Sequence, residues 1–292
     1  MNCVNLRQLA ILSAIAAACL VNAANATTLV LEAARDTAIF ADSVDYASGA
    51  GQLFVGNTAG SQPRRALLWF DLSQVPAGMR VVEASLRILV NRHAPAAPVS
   101  IIALHRLNAA WGEGGSNPGS GNGGGDQARA GEATWRSRFH GDPATTWSRP
   151  GGDYVEAPSA TLSFSGTGLF TWTGPGLVAD VNAWRTSPAS NHGWIVIGDE
   201  LESYTARRFD SRETGDAFSR PQLQLTLAPD VATGDEDVPL PAWALGALGL
   251  GLAGALSGRG LGRGRPSPSR GLPHRCDDRP ETEPRRSRHG TP

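Results

Sequence analysis

Three polar residues between positions 208 and 212 have types and spacing suited to binding an acidic ligand. Arg208, Asp210 and Arg212 occupy alternate positions, so they share one face if the segment is an extended strand. Arginine can hold a carboxylate through two parallel hydrogen bonds, which suits an acidic glycan. The same three residues could instead pair with one another, with Glu200 or Glu202 completing a structural network of ion pairs. Both interpretations are open.

A second candidate group is aromatic. Sugar recognition needs flat aromatic surfaces for the faces of the rings and polar side chains for the hydroxyl groups. Trp111, Trp135 and Trp147 lie on connections without a strand pattern, and arginines are interleaved with them. They predict a carbohydrate-binding groove if their rings are exposed together, and anchors for a long loop if they point inward. Trp184 and Trp194 sit in apolar patterns and are predicted to be core residues.

The sequence gives little support for catalysis or for a metal centre. No histidine pair has the HExxH spacing of a zinc site, and no GxSxG nucleophile motif is present. Asp36, Asp42 and Asp45 could supply the oxygen ligands that calcium prefers, although an acidic surface loop is the commoner explanation. We therefore predict no enzyme, no required cofactor and no assigned metal site.

The elements that position these residues are mostly strands. Apolar residues alternate with polar ones over 65–72 and 82–90, which predicts two half-buried strands. More continuous apolar runs at 99–104 and 194–197 predict strands buried on both faces. One short helix is predicted over 177–184, where the apolar residues share a face.

The candidate arginine strand is predicted to belong to a last antiparallel pair. Residues 208–213 would form its first strand and 223–227 its second, with a turn at Gly215 and Asp216 between them. Gly112 to Gly125 contains eight glycines in fourteen residues and lacks the lysine of a phosphate-binding loop. That composition predicts a mobile surface loop that does not pack against the core.

Both ends of the chain carry features typical of export. Residues 1–26 combine Arg7, a short apolar core and the cleavage site Ala24-Asn25-Ala26, so they predict a signal peptide removed by signal peptidase. After an acidic linker at 230–237, residues 238–258 form an apolar segment that predicts transient membrane retention. Residues 259–292 are rich in arginine and proline and are predicted to be disordered. The predicted location is secreted or cell surface, after passage through the inner membrane of a bacterium.

Charge and cysteine content narrow the function further. All 26 basic residues are arginine, and residues 27–237 contain 16 of them against 23 acidic residues. An acidic body argues against a nucleic-acid partner, which needs a basic footprint. The three cysteines, Cys3, Cys19 and Cys276, lie outside this body, so it must be held by its core without disulfides.

A series of motifs from about Asp36 to Leu227 resembles the DNRLRE-domain proteins. The matching motifs, in order, are Arg35-Asp36-Thr37, RRALLWFDLSQVPAG at 64–78, Trp111-Gly-Glu-Gly114, Ala133-Thr-Trp135, Asn191-His-Gly-Trp194 and Arg-Phe-Asp-Ser-Arg-Glu at 208–213. The resemblance implies an all-β, jelly-roll-like β-sandwich over residues 27–229 in an exported protein. It also implies attachment to polysaccharides such as uronate polymers, and it brings no catalytic residues. The stretch VPLPAWALGALGLGLAGAL at 238–256 resembles PEP-CTERM sorting tails, which implies an exosortase-type sorting enzyme as a partner.

These observations lead to one expected function and two alternatives. The chain is expected to be an exported, non-catalytic module that binds polysaccharide, with acidic glycans as candidates, at the cell surface or in an extracellular matrix. Its expected binding residues are Trp111, Trp135, Trp147, Arg208, Asp210 and Arg212. The first alternative is a structural or adhesive surface protein without sugar specificity, and the second is a polysaccharide-processing enzyme.

Overall fold

A computed structural model describes residues 26–119 and 121–230. The predicted signal peptide, sorting segment and basic tail, with nearly all of the acidic linker, lie outside the described residues. Within this range the protein is all-β, as predicted, with thirteen strands and a single α-helix. No helix in the described part of the chain is long and apolar enough to cross a membrane.

The strands are short except for one. Their bounds are β1 (Thr27–Glu32), β2 (Arg35–Phe40), β3 (Tyr46–Ala47), β4 (Leu53–Asn57), β5 (Pro63–Trp69), β6 (Met79–His93), β7 (Ser100–Arg106), β8 (Asp126–Gln127), β9 (Ala160–Phe164), β10 (Gly168–Thr173), β11 (Trp194–Ile197), β12 (Arg207–Phe209) and β13 (Gln222–Pro229). The helix α1 spans Pro175–Thr186. The predicted strands at 65–72, 82–90, 99–104, 194–197 and 223–227, and the helix at 177–184, are confirmed. The predicted burial of 99–104 on both faces is wrong, because Ile101 is 60% exposed while Ile102 is buried.

The strands pair antiparallel throughout and form two sheets. In the first sheet β1 pairs with β13, β13 and β12 pair in succession with one edge of β6, β4 pairs with β12, and β10 pairs with the other edge of β6. The second sheet has the order β3-β2-β5-β11-β7-β9, with β8 beside β3. Strand β4 joins them, because Leu53–Val55 pair with β12 and Gly56 and Asn57 pair with β5.

The main core lies between the two sheets. Alternate residues of β6 and β13 point inward, so Leu86, Ile88 and Leu225 are buried while their neighbours reach solvent or the rim. Helix α1 begins with Pro175, whose fixed φ suits the first turn, and it buries one face against this core. Trp184 on the helix and Trp194 on β11 are 2% and 0% exposed, which confirms the prediction for both.

The second sheet is also covered on its outer face. The long connection between β7 and β9 lays an apolar cluster over it, here called the outer cluster. Its buried members are Leu107, Trp111, Ala133 and Trp147 from the connection, and Ile39, Leu67 and Ile195 from the sheet. This third layer explains why β2 and β11 are apolar at consecutive positions, as expected for strands without a solvent face.

The predicted pairing of the last two strands is wrong. Strand β12 ends at Phe209, and neither of its partners is β13. Both strands instead lie along the same edge of β6, with β12 opposite Val90–His93 and β13 opposite Met79–Arg87. The fifteen residues of β6 provide room for two successive partners. The chain therefore leaves the sheet after Phe209 and returns at Gln222 without reversing direction.

The expectation of a loosely attached glycine loop is also wrong for its described residues, 112–119 and 121–125. Glu132 is 1% exposed, and its carboxylate accepts hydrogen bonds from the backbone N–H groups of Gly115 and Ser116. A Cβ at Gly125 would lie 2.6 Å from the ring of Phe40, and one at Gly123 would lie 3.2 Å from Phe54. Glycine lets the backbone lie directly on these two rings, so the segment is packed rather than detached.

Candidate functional site

The structure separates the three polar residues that the sequence placed on one strand face. Arg208 is on β12, whereas Asp210 and Arg212 follow it in the connection to β13. Arg208 and Asp210 do share a partner, Asn91 of β6. The Nε of Arg208 donates to the Asn91 Oδ1 at 2.6 Å, and the Asn91 Nδ2 donates to Asp210.

Arg212 belongs to a different set of contacts. Its Nη1 lies 2.7 Å from Glu213 and 3.3 Å from Glu113. Glu200, which the sequence suggested as a partner of the arginine strand, instead receives two hydrogen bonds from Arg65 at 2.7 and 2.8 Å. The predicted ladder of Arg208, Asp210 and Arg212 is therefore not one surface.

Two of the three predicted tryptophans are inside the outer cluster. Trp111 is 1% exposed and Trp147 is 4% exposed, and each indole N–H donates to a backbone carbonyl. A groove that displays both rings to a sugar is therefore contradicted. The physical reason is the outer face of the second sheet, whose apolar side chains need a cover that these indoles provide.

Trp135 lies at the edge of the outer cluster and is partly buried. The guanidinium of Arg65 sits 4.7 Å from the centre of its ring, and the same arginine is held by Glu200. Gly151 approaches so closely that a Cβ there would lie 2.8 Å from the indole. The ring is therefore covered by protein on the side that Arg65 occupies.

A different concave surface is lined by four arginines. This surface, here called the arginine groove, has a volume of about 710 Å³. Its charged or aromatic lining residues are Phe54, Arg64, Arg92, His93, Tyr204, Arg207 and Arg208, and none of the described aspartates and glutamates lines it. The groove lies where β4, β6 and β12 meet, and the glycine-rich segment forms one wall through Gly121, Gly123 and Gly124.

The four arginines of the groove differ in whether an acidic residue neutralises their charge. Arg64 is 4% exposed and pairs with Asp42 at 2.8 Å. Arg207 is 1% exposed, and its guanidinium donates to the carbonyls of Thr205 and Pro98 rather than to a carboxylate. Burial lowers the pKa of Arg207 from its usual value, because removing the charged guanidinium from water disfavours its charged form. Its charge is not neutralised by an acidic residue in the described chain.

The two other arginines reach the opening of the groove. Arg208 is half-buried and donates to Asn91 and, at 2.9 Å, to the carbonyl of Gly121, so its guanidinium is oriented without an ion pair. Arg92 is exposed, and its side chain has no hydrogen bond or ion pair with a described residue. His93 donates from Nδ1 to the carbonyl of Ala94 at 2.7 Å, which fixes the direction of its ring.

An exposed tyrosine lies at the same surface. Tyr204 is 49% exposed and has a φ of 64°, one of two positive φ values among the described residues other than glycine. Such a conformation costs about 1–3 kcal/mol and persists only where surrounding contacts impose it. The amide of Tyr204 donates to the Thr58 carbonyl at 3.3 Å, which ties this strained turn to the wall of the groove.

Sequence reasoning identified Arg208 but missed Arg92, His93 and Tyr204. The available signal for the first two was weak: Asn91-Arg92-His93 ends the alternation of β6 with three consecutive polar residues. Tyr204 had no periodic signal, since it lies in a turn. The convergence of these side chains depends on strand pairings between residues more than 100 positions apart.

The predicted calcium ligands Asp36, Asp42 and Asp45 do not form one site. Asp42 pairs with Arg64, and Asp45 lies 3.6 Å from Arg136. Asp36 is fully buried and meets Glu113 and Glu213 instead. Burial and the two neighbouring carboxylates raise the pKa of Asp36 well above its usual value, against the opposing effect of the Arg212 amide.

No protein-family model matches this chain, and no curated protein is significantly similar to it in sequence. The resemblance to DNRLRE-domain proteins and to PEP-CTERM tails therefore stays a prediction.

Proposed function

We propose that this protein is a non-catalytic module that binds an acidic polysaccharide in the arginine groove. The observation that carries the proposal is the charge of the groove lining, which contains four arginines and no acidic residue. The described residues as a whole contain 16 arginines against 20 acidic residues, a net charge of −4. Three of the groove arginines, Arg92, Arg207 and Arg208, have no ion pair with a described residue, whereas Arg64 pairs with Asp42. The groove therefore presents unpaired positive charge on a protein whose described residues are acidic overall.

The geometry of Arg207 adds to this argument. A buried guanidinium without a carboxylate partner is costly, since its charge has been removed from water without compensation. An anionic group in the groove would recover part of that cost. Arg92 and Arg208, which have no ion pair in the described chain, offer the hydrogen-bond donors for a carboxylate.

A glycan fits the remaining features better than a small anion does. The volume of about 710 Å³ has room for several sugar rings. Tyr204 presents a flat, exposed surface of the kind that packs on the apolar face of a sugar. The net negative charge of the protein argues against a nucleic acid, whose binding needs a broad basic footprint.

The wider setting of this proposal follows from the sequence. We propose that the module has the jelly-roll-like form of the DNRLRE-domain sandwiches and that signal peptidase and an exosortase-type enzyme process its ends. It would then act at the cell surface or in the extracellular matrix.

Binding to polyuronates tests the proposal. Purified protein is titrated with polygalacturonate, alginate and the neutral glycan dextran in EDTA, which prevents gelling of the acidic polymers by calcium. We expect binding to at least one polyuronate and none to dextran. Arg92→Gln and Arg208→Gln should each weaken that binding about tenfold, equivalent to about 1.4 kcal/mol.

A matched control is available on the same strand. Arg80 is exposed near the other end of β6, about 40 Å from Arg92 at the usual rise per residue. Arg80→Gln makes the same change of charge outside the groove and should leave the affinity unchanged. If the folded wild-type protein binds none of the glycans, the proposal is wrong, and a structural or adhesive surface protein becomes the better interpretation.

A further inference from the structure

Three carboxylates from separate parts of the chain meet beside strand β2 of the second sheet. Asp36 lies on β2, Glu113 follows Trp111, and Glu213 lies in the connection from β12 to β13. One oxygen of each lies within 4.8 Å of the others. Asp36 is buried, Glu113 is half-buried and Glu213 is exposed, so the group runs from the interior to the surface.

The interior end of this group has an unsatisfied oxygen. The Asp36 Oδ2 accepts the backbone N–H of Arg212 at 2.7 Å, but the Asp36 Oδ1 has no hydrogen-bond partner among the described residues. Asp36 is 0% exposed, so bulk water does not solvate that oxygen. Buried polar atoms are nearly always paired, and a carboxylate oxygen left without a partner is costly. A cation bound at this oxygen, or a proton on it, would remove that cost.

Neither nearby arginine forms an ion pair with Asp36. The Arg212 Nη1 contacts Glu113 and Glu213, at 3.3 and 2.7 Å. Arg35 donates to the Trp111 carbonyl at 3.0 Å and lies 4.4 Å from the centre of the Trp69 ring. Even with both guanidinium groups counted, three carboxylates leave an excess of negative charge.

We propose that Asp36, Glu113 and Glu213 bind a calcium ion. All three ligands offer hard oxygen atoms, which Ca²⁺ prefers, and Ca²⁺ accepts a more variable coordination geometry than the octahedron that Mg²⁺ requires. The exposed side at Glu213 leaves room for water molecules to complete a coordination number of six to eight. This site does not depend on the arginine groove and would exist whatever ligand the groove binds.

Calcium would add a link between three segments that already contact one another, since the Asp36 N–H donates to Glu113 and the Arg212 N–H donates to Asp36. Asp36 belongs to the sheet, while Glu113 and Glu213 belong to the two connections that flank a second depression of about 450 Å³. Glu213 and Ser211 line that depression, which shares Gly121 and Arg208 with the arginine groove. A bound ion would therefore hold the connection after β12 against β2.

Calorimetric titration of the EDTA-treated chain with CaCl₂ and with MgCl₂ tests the site. We expect one Ca²⁺ per chain with a Kd of about 1 mM or tighter, as in other extracellular calcium modules, and weaker binding of Mg²⁺. Calcium should also raise the melting temperature. Glu213→Gln should weaken Ca²⁺ binding about tenfold or more, because it removes one charged ligand.

Glu213→Gln is chosen because its side chain is exposed and its loss should leave the metal-free fold intact, with a melting temperature in EDTA like that of the wild type. Glu156→Gln is the matched control, since Glu156 is also exposed and also pairs with an arginine, Arg149, at 2.7 Å. It should bind calcium as the wild type does. Equal calcium affinity in the Glu213→Gln variant and the wild type would overturn the assignment.

A proton on Asp36 is the competing explanation for its unpaired oxygen, and it predicts a different result. An aspartate whose pKa is raised in the folded state binds its proton more tightly there than in the unfolded chain. Its contribution to stability is complete below the unfolded pKa and is lost as the pH rises through the folded pKa. If stability in EDTA falls in this way, Asp36→Asn abolishes the fall, and CaCl₂ has no effect at pH 8, the site binds a proton and the calcium proposal is wrong.

Discussion

A tryptophan with one polar atom can serve either as a binding surface or as a core residue, and the partner of its N–H distinguishes the two. The Nε1 of Trp147 donates to the Thr134 carbonyl at 2.8 Å within the long connection. That of Trp111 donates to the His192 carbonyl at 2.9 Å, which joins the connection to the turn before β11. Both indole N–H groups therefore form hydrogen bonds within the protein, and neither is free to donate to a ligand.

Truncation of Trp147 should accordingly act on stability rather than on glycan binding. We expect Trp147→Ala to lower the free energy of unfolding by about 3–5 kcal/mol, the usual cost of removing a large buried aromatic side chain. Urea denaturation measures this loss. Under conditions where the variant is still folded, its affinity for a polyuronate should equal that of the wild type. A variant with unchanged stability and lost binding would instead restore Trp147 as a ligand-binding residue.

At the scale of elements, the glycine-rich segment is shaped by close backbone contacts. The Gly112 amide donates to the Arg138 carbonyl at 3.1 Å, and the Ala133 amide donates back to the Gly112 carbonyl at 2.7 Å. A Cβ at Gly112 would lie only 1.8 Å from the carbonyl oxygen of Gly131. Since that atom belongs to the backbone, it cannot move away as the end of a side chain could.

Gly112→Ala should therefore destabilise the protein by about 1–3 kcal/mol, as overpacking against a fixed neighbour does. Gly215→Ala is the matched control, because a Cβ at Gly215 meets nothing within 4 Å and its φ is not in the left-handed region. Alanine there should be neutral or slightly stabilising, since it restricts the unfolded chain. Urea denaturation of both variants checks the difference, and equal stabilities would show that the contact at Gly112 relaxes freely.

The elements that the sequence predicted well are those with a local apolar period. Strands β5, β6 and β13 alternate between core and rim, and α1 repeats its apolar residues at helical spacing, so each pattern identifies its own element. Residues 208–213 alternate too, but Phe209 is their one apolar residue, and polar alternation does not require a strand. Where β12 ends is decided by its pairing with β6, which is a contact distant in sequence.

The arginine groove could not be predicted from the sequence, because contacts between residues distant in sequence form it. Arg64, Arg92 and Arg208 come from three strands, and each is an ordinary surface residue in its local pattern. Only the pairing of β4 with both sheets brings them to one concave surface. The prediction for Trp111 and Trp147 was wrong in the other direction, since it placed buried residues at the surface. Their local sequence is typical of an exposed loop, but both side chains cover the apolar outer face of the second sheet.

At the scale of the whole molecule, the fold is built from three layers without disulfides. None of the described residues is a cysteine, so apolar burial must supply the stability. The main core and the outer cluster both use the second sheet, whose strands β2 and β11 are buried on their two faces. The first sheet keeps one face free of such a cover, and the arginine groove lies at the edge where its strands β6, β12 and β4 end.

The distribution of charge over the molecule makes binding of an acidic glycan depend strongly on salt. The described residues have a net charge of −4, so the molecule as a whole repels a polyanion, while the groove attracts it locally through its arginines. Attraction at the groove acts between charges at a partly exposed surface and is screened within about 8 Å at physiological ionic strength. The affinity for a polyuronate should therefore fall as NaCl is raised from 50 to 500 mM, by roughly tenfold or more.

Arg92→Gln should reduce the slope of log Kd against log salt, because one charge contact is lost, whereas Arg80→Gln should retain it. If the affinity does not change with salt, or if both variants have the wild-type slope, then the arginines of the groove do not bind the glycan through its charge.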